Sequence, residues 1–164
     1  MIVVRRAGAK DSQWVRDVLV REWAGPLIER TDEYIDATLL PAYVAELDGE
    51  SVGMMTLLEQ PDHIEIMTLN SFVEDRGIGT ALIATAESET GNAGLDELRV
   101  FTGNHNIRAI GFYQRRGFRL WAVHRDTITR ARLLKPTIPL EKHGILICDE
   151  VELRKRLPKH GLDF

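Results

Sequence analysis

The 164-residue chain is 44% hydrophobic and 28% charged, which supplies one ordinary globular core and excludes a disordered chain. Its 21 Lys and Arg against 25 Asp and Glu leave a net charge of −4, which excludes a global basic field for nucleic acid or an anionic membrane; only a local basic pocket remains open. The only cysteine, Cys148, cannot form an internal disulfide, and without Cys or His pairs at ligand spacing no metal is expected, so the cytoplasm fits this usage best. No linker-like stretch divides the chain, and residues 1–164 are read as a single domain.

Met1–Arg6 has too short an apolar run for a signal peptide and reads as a strand; nothing later reaches bilayer length. Asp11 or Ser12 can cap a helix whose Trp14, Val15, Val18, Leu19 and Trp23 recur at helical spacing until Gly25-Pro26. In Leu27–Leu40 the run Thr31-Asp32-Glu33 could start a short helix, which Pro41 would end. Ala42–Leu47 and Ser51–Leu58 around Asp48-Gly49 form a hairpin, and His63–Phe72 follows after Pro61-Asp62. In that strand His63, Glu65 and Met67 alternate with Ile64, Ile66 and Thr68.

A helix starts near Gly79 and carries Ala81, Leu82, Ile83 and Ala86 largely on one face, ending at Gly91-Asn92-Ala93-Gly94. Leu98–Phe101 is a short buried strand. Asn104 or Asn106 caps a helix with Ile107, Ile110 and Phe112 that stops at Gly117, and Phe118–Val123 resumes strand. Thr127–Leu134 reads as helical and Pro136–Pro139 as a loop; from Ile145 the pattern favours strand, although Glu150–Leu157 also fits a helix. The economical architecture is one α/β sheet that begins antiparallel and gains a parallel crossover.

Arg76-Gly77-Ile78-Gly79-Thr80-Ala81 joins a strand to a helix, where unpaired amides and the helix dipole favour an anion. Gly77 and Gly79 carry no Cβ, which lets an oxygen approach the backbone, and Arg76 adds charge. A glycine needed only for the turn's own geometry is the competing reading. The spacing G-x-x-x-x-G-K-[ST] is absent, and Leu82 stands where a dinucleotide fingerprint needs its third glycine.

Downstream, Asn106, Ala109, Phe112-Tyr113 and Gly117-Phe118 stand at fixed offsets. The two segments together resemble the GNAT superfamily of acyl-CoA-dependent N-acyltransferases: the first its phosphate-binding motif, the second its N-x-x-A-x-x-F-Y-x-x-x-G-F run. The resemblance extends to about position 125, leaving 127–164 as a C-terminal extension with no assigned role. One position departs: Glu74 stands where the family usually has Gln or Arg, and Asp75 follows it.

The resemblance implies an α/β (α+β) fold, a mixed, largely antiparallel sheet of six to seven strands splayed after the fourth, with helices on both faces. It implies acetyl-CoA as co-substrate, its pantetheine arm bonding backbone in the splay and its pyrophosphate on Arg76, Gly77, Ile78, Gly79, Thr80 and Ala81. The amide near Leu69 would stabilise the oxyanion, Asn70 and Ser71 would border the cleft, and Asn106 would bond pantetheine or order its helix. Tyr113 would be the general acid for the CoA thiolate; the competing reading is core packing of an F-Y pair.

Glu65 or His63 could take the proton of the attacking amine through water, against the usual reading of a strand Glu as solvated. Trp14, Trp23 and Tyr34 could wall an acceptor pocket or simply pack. Arg130, Arg132 and Lys135 form a basic cluster for a CoA phosphate, an acidic acceptor or solvent, while His105, His124 and His143 carry no functional signal. The expected activity is N-acetylation of a small-molecule primary amine by direct attack in a ternary complex. The alternative is a non-catalytic acyl-CoA sensor or interaction module; the period-2 tail could pair across a homodimer.

Overall fold

The computed structural model describes residues 1–159, so positions 160–164 of the 127–164 extension lie outside the described residues. The chain runs β1 (Ile2–Arg6), α1 (Ser12–Trp23), β2 (Leu27–Arg30), β3 (Glu33–Asp36), β4 (Ala42–Leu47), β5 (Glu50–Glu59) and β6 (Ile64–Ser71). It continues through α2 (Ile78–Asn92), β7 (Glu97–Gly103), α3 (Ile107–Arg115), β8 (Arg119–His124), α4 (Thr127–Ala131), β9 (Glu141–Lys142), β10 (Ile145–Leu146) and β11 (Glu150–Arg156).

Seven strands form one sheet in the order β1-β4-β5-β6-β7-β11-β8, and every pairing is antiparallel except β6 with β7. Its two faces carry separate apolar cores. Ile66, Leu98, Val100 and Leu153 pack with Leu82, Ile83 and Ala86 of α2 and with Tyr113 and Phe118, while Met54 and Met67 pack with Val15, Val18 and Leu19 of α1. Helices therefore cover both faces, because the strand period of two sends alternate apolar residues each way.

The sheet opens after its fourth strand, as expected. β6 and β7 pair only at Ile64–Leu98, Glu65–Arg99 and Ile66–Val100; beyond that β7 stays with β11, and the outer edge of β6 past Ile66 has no partner strand among the described residues. Asp48 (φ 51) and Gly49 (φ 87) make the β4–β5 turn as the Asp-Gly pair predicts.

Two segments differ from the sequence reading. Thr31 (φ 47) and Asp32 (φ 67) do not start a helix but turn the β2–β3 hairpin. Two consecutive left-handed residues match the twist of a tight hairpin, and Ile28 is buried against the α1 core. Glu150–Arg156, open between helix and strand, is β11, inserted between β7 and β8. Glu150, Val151, Glu152 and Leu153 are all buried, which hides the period of two that a half-exposed strand would show. α4 ends at Ala131, short of Leu134.

Candidate active site

The Phe72 amide donates to the Val52 carbonyl at 2.8 Å, and β5–β6 register pairs Asn70 with Met54 and Thr68 with Thr56. In an antiparallel ladder bonded pairs alternate, so the main-chain groups of Leu69 and Ser71 face the open edge. The side chain of Asn70 accepts from Trp23 Nε1 at 2.7 Å and ties α1 to that edge; the Ser71 hydroxyl donates to the Val73 carbonyl at 3.0 Å. Trp14 packs edge-on against Phe72 at 6.3 Å.

At the adjoining end of α2, Gly77 is the left-handed N-cap (φ 78) and the Ala81 amide makes the first helical bond to its carbonyl, at 3.0 Å. The amides of Ile78, Gly79 and Thr80 thus lie in the unpaired first turn, next to exposed Arg76, with Ile78 anchored in the core. Both glycines also answer needs of the fold itself. Gly77 supplies a positive φ, the turn-geometry reading, and a Cβ on Gly79 would stand 2.8 Å from Phe112 Cζ, so position 79 makes room for a ring.

α3 lays one stripe of side chains, Arg108, Phe112 and Arg116, across this turn. The Arg116 guanidinium lies 3.6 Å over the Phe112 ring, and its Nε and Nη2 donate to Thr80 Oγ1 at 3.0 and 2.7 Å. Nη1 donates to the Phe112 carbonyl at 3.0 Å. Among the described residues no carboxylate pairs with it, and burial with the neighbouring Arg115 charge lowers its pKa. A partly buried cation bonded only to neutral oxygens at the positive end of a helix favours an anion there. Sequence reasoning missed Arg116; its spacing of four from Phe112 was the available signal. Glu74 accepts from Arg108 Nη1 at 2.6 Å, with both side chains exposed.

Of the two caps considered for α3, Asn106 is the one used: its Oδ1 accepts from the Ala109 amide at 3.1 Å, while Asn104 Oδ1 accepts from the amides of Cys148 and Asp149. Tyr113 lies in the core, edge-on to Phe112 at 5.2 Å and Phe118 at 5.3 Å. Burial alone raises the pKa of its hydroxyl, with no charge or hydrogen bond opposing it.

Glu65 is buried at 2% exposure, not solvated. Arg30 Nε donates to its Oε2 at 2.5 Å and His63 Nε2 stands 3.7 Å from its Oε1. Burial raises its pKa against the opposing pull of Arg30 and His63. Nearby, the Thr31 amide donates to Glu150 Oε1 at 2.9 Å, and burial together with the Glu150 charge pushes Glu29 up to about 7. Burial also raises Glu150. This acidic group was not visible in sequence, because β2 and β11 meet only in the fold.

In the basic cluster Arg130 is exposed, while Arg132 and Lys135 are half-buried. Arg130 holds Asp32 through two bonds at 2.7 and 2.9 Å, Arg132 donates to the carbonyls of Ile138, Pro139 and Ile147, and Lys135 to those of Trp23 and Leu27. These bonds fasten the tail to the hairpin and the end of α1. His124, read as carrying no signal, stands with Nε2 2.9 Å from Glu152 Oε1. A cavity of about 410 Å³ lined by Arg6, Ser12, Arg16 and Thr38 borders none of the candidate residues above.

The chain thus joins an interrupted sheet edge to an unpaired helix N-terminus in a mixed α/β fold with helices on both faces. The chain belongs to the acetyltransferase (GNAT) family, whose model matches residues 13–118. It is 34% identical over 141 residues to the uncharacterized protein YdhI of Bacillus subtilis, covering 85% of this chain and 88% of YdhI. The IAA acetyltransferase from Bacillus cereus superposes with a TM-score of 0.72 at 25% identity, covering 96% of this chain and 100% of that one. A GNAT acetyltransferase from Elizabethkingia anophelis with acetyl-CoA bound shares the fold, with a TM-score of 0.68 at 20% identity over 95% of this chain and 98% of that one. Among the described residues no helix is long and apolar enough to cross a membrane.

Proposed function

We propose that this protein transfers the acetyl group of acetyl-CoA to the primary amine of a small molecule by direct attack in a ternary complex. The observation that carries this reading is the adjacency of the free β6 edge to the α2 N-terminus, where Arg116 lacks an acidic partner among the described residues. The amides of Gly77–Ala81, with Arg76 and Arg116, bind the pyrophosphate. Leu69 and Ser71 bond the pantetheine amides as a neighbouring strand would, and Asn70 and Asn106 shape that channel.

The amine lone pair attacks the thioester carbon, and the developing oxyanion takes a hydrogen bond from the Leu69 amide. As the C–S bond breaks, Tyr113 gives its proton to the departing thiolate and takes one back from solvent as the products leave. The proton shed by the amine passes through water to Glu65, whose pKa burial raises, with His63 beside it, and Glu65 then returns it to solvent. The products are an N-acetyl amine and CoA thiol.

A thiol-release assay with acetyl-CoA over polyamines, amino acids, aminoglycosides and short peptides tests this. Amine-dependent release is expected. Thermal stabilisation by CoA with no release from any amine supports the sensor instead.

A further inference from the structure

We propose that Glu74 is an internal competitor for the phosphate site, holding Arg108 in an ion pair so that the CoA carrier binds less tightly than the turn alone would allow. The inference rests on the acetyl-CoA reading of the same site and concerns how strongly that site holds its ligand.

The three residues of the α3 stripe treat the turn differently. Phe112 fills the space over Gly79, and Arg116 bonds the Thr80 hydroxyl with no acid paired to it among the described residues. Arg108, two turns earlier, is instead engaged by Glu74 at 2.6 Å. It sits in the first turn of α3, where no acidic side chain offsets the helix dipole, so a cation there is disfavoured unless an anion faces it. Glu74 is that anion, and Asp75 adds to its field at Arg108.

The geometry places this acid on the strand-to-helix turn, three residues before the left-handed Gly77 cap. A carboxylate at that point repels the pyrophosphate expected on Ile78–Thr80 and also withholds an arginine from it. Both side chains are exposed, so the pair is weak and separable; a phosphate of higher charge can take Arg108 from Glu74. The turn therefore holds one cation ready, Arg116, and a second in reserve.

The test is calorimetric titration of CoA into wild type, Glu74→Gln, Arg108→Gln and the double variant, at low and high salt. Glu74→Gln is expected to lower Kd about two- to fivefold at low ionic strength, an advantage that shrinks with salt. Arg108→Gln leaves the acid uncovered and raises Kd by a similar factor; the double variant returns near wild type. Unchanged or weaker binding by Glu74→Gln, in a wild type that does bind CoA, overturns the competitor role alone. A wild type that binds no CoA overturns the acetyl-CoA reading, and this inference falls with it.

Discussion

Gly79 of α2 and Phe112 of α3 meet so closely that a methyl group on the first would stand 2.8 and 2.9 Å from two ring carbons of the second. Gly79→Ala is therefore expected to destabilise the fold by about 1–3 kcal/mol through overpacking. Because the ring carries Arg116, CoA affinity should fall as well. Denaturant unfolding of Gly79→Ala, Phe112→Leu and the pair checks this: the smaller side chain should relieve part of the alanine's cost, and strict additivity would count against the contact.

Tyr113 is packed on its ring and unassisted at its hydroxyl. Tyr113→Phe is expected to melt at or slightly above the wild-type temperature while kcat drops about 10²- to 10⁴-fold, with little change in KM for acetyl-CoA. Turnover unchanged across the pH range would remove the proton-donor role and leave a packing residue.

The Arg30–Glu65 pair has side-chain exposures of 11% and 2%. Arg30→Ala strands a buried carboxylate and is expected to cost about 3–5 kcal/mol at neutral pH. Arg30→Met combined with Glu65→Leu should recover most of that stability without recovering activity. Chemical denaturation alongside the thiol assay separates the two losses.

Glu29 gives a pH signature. Its ordinary value of 4.5 is pushed up to about 7 by burial and by Glu150, so between those limits the folded state holds more protons than the unfolded one. Stability contributed by the neutral form is full below about pH 4.5 and is lost as the pH rises toward 7. Glu29→Gln stays neutral throughout; melting curves from pH 4 to 9 should show the acid-side slope flattened and a higher Tm above pH 7. A slope identical in both proteins would assign the titration elsewhere, to Glu150, whose pKa burial also raises.

The antiparallel start of the sheet, the parallel crossover and the two motif segments were legible because each is written in local spacing: the Asp48-Gly49 turn, Gly77 to Ala81, and Asn106 to Phe118. The β2–β3 hairpin was misread because Thr31-Asp32-Glu33 fits a helix start as well as a turn, and only the left-handed pair with Ile28 in the α1 core decides between them. β11 was ambiguous because burial of both faces erases alternation.

The sequence by itself determined that a strand ends in a glycine turn at the head of a helix, and that an aromatic helix follows one strand later, since backbone preference and apolar period act over a few residues. It could not determine which charges are satisfied. Arg116 bonded to Thr80, Arg108 bound to Glu74 and Glu29 against Glu150 depend on segments brought together from far along the chain. Electrostatic energy depends on distance and burial, and tertiary packing fixes both.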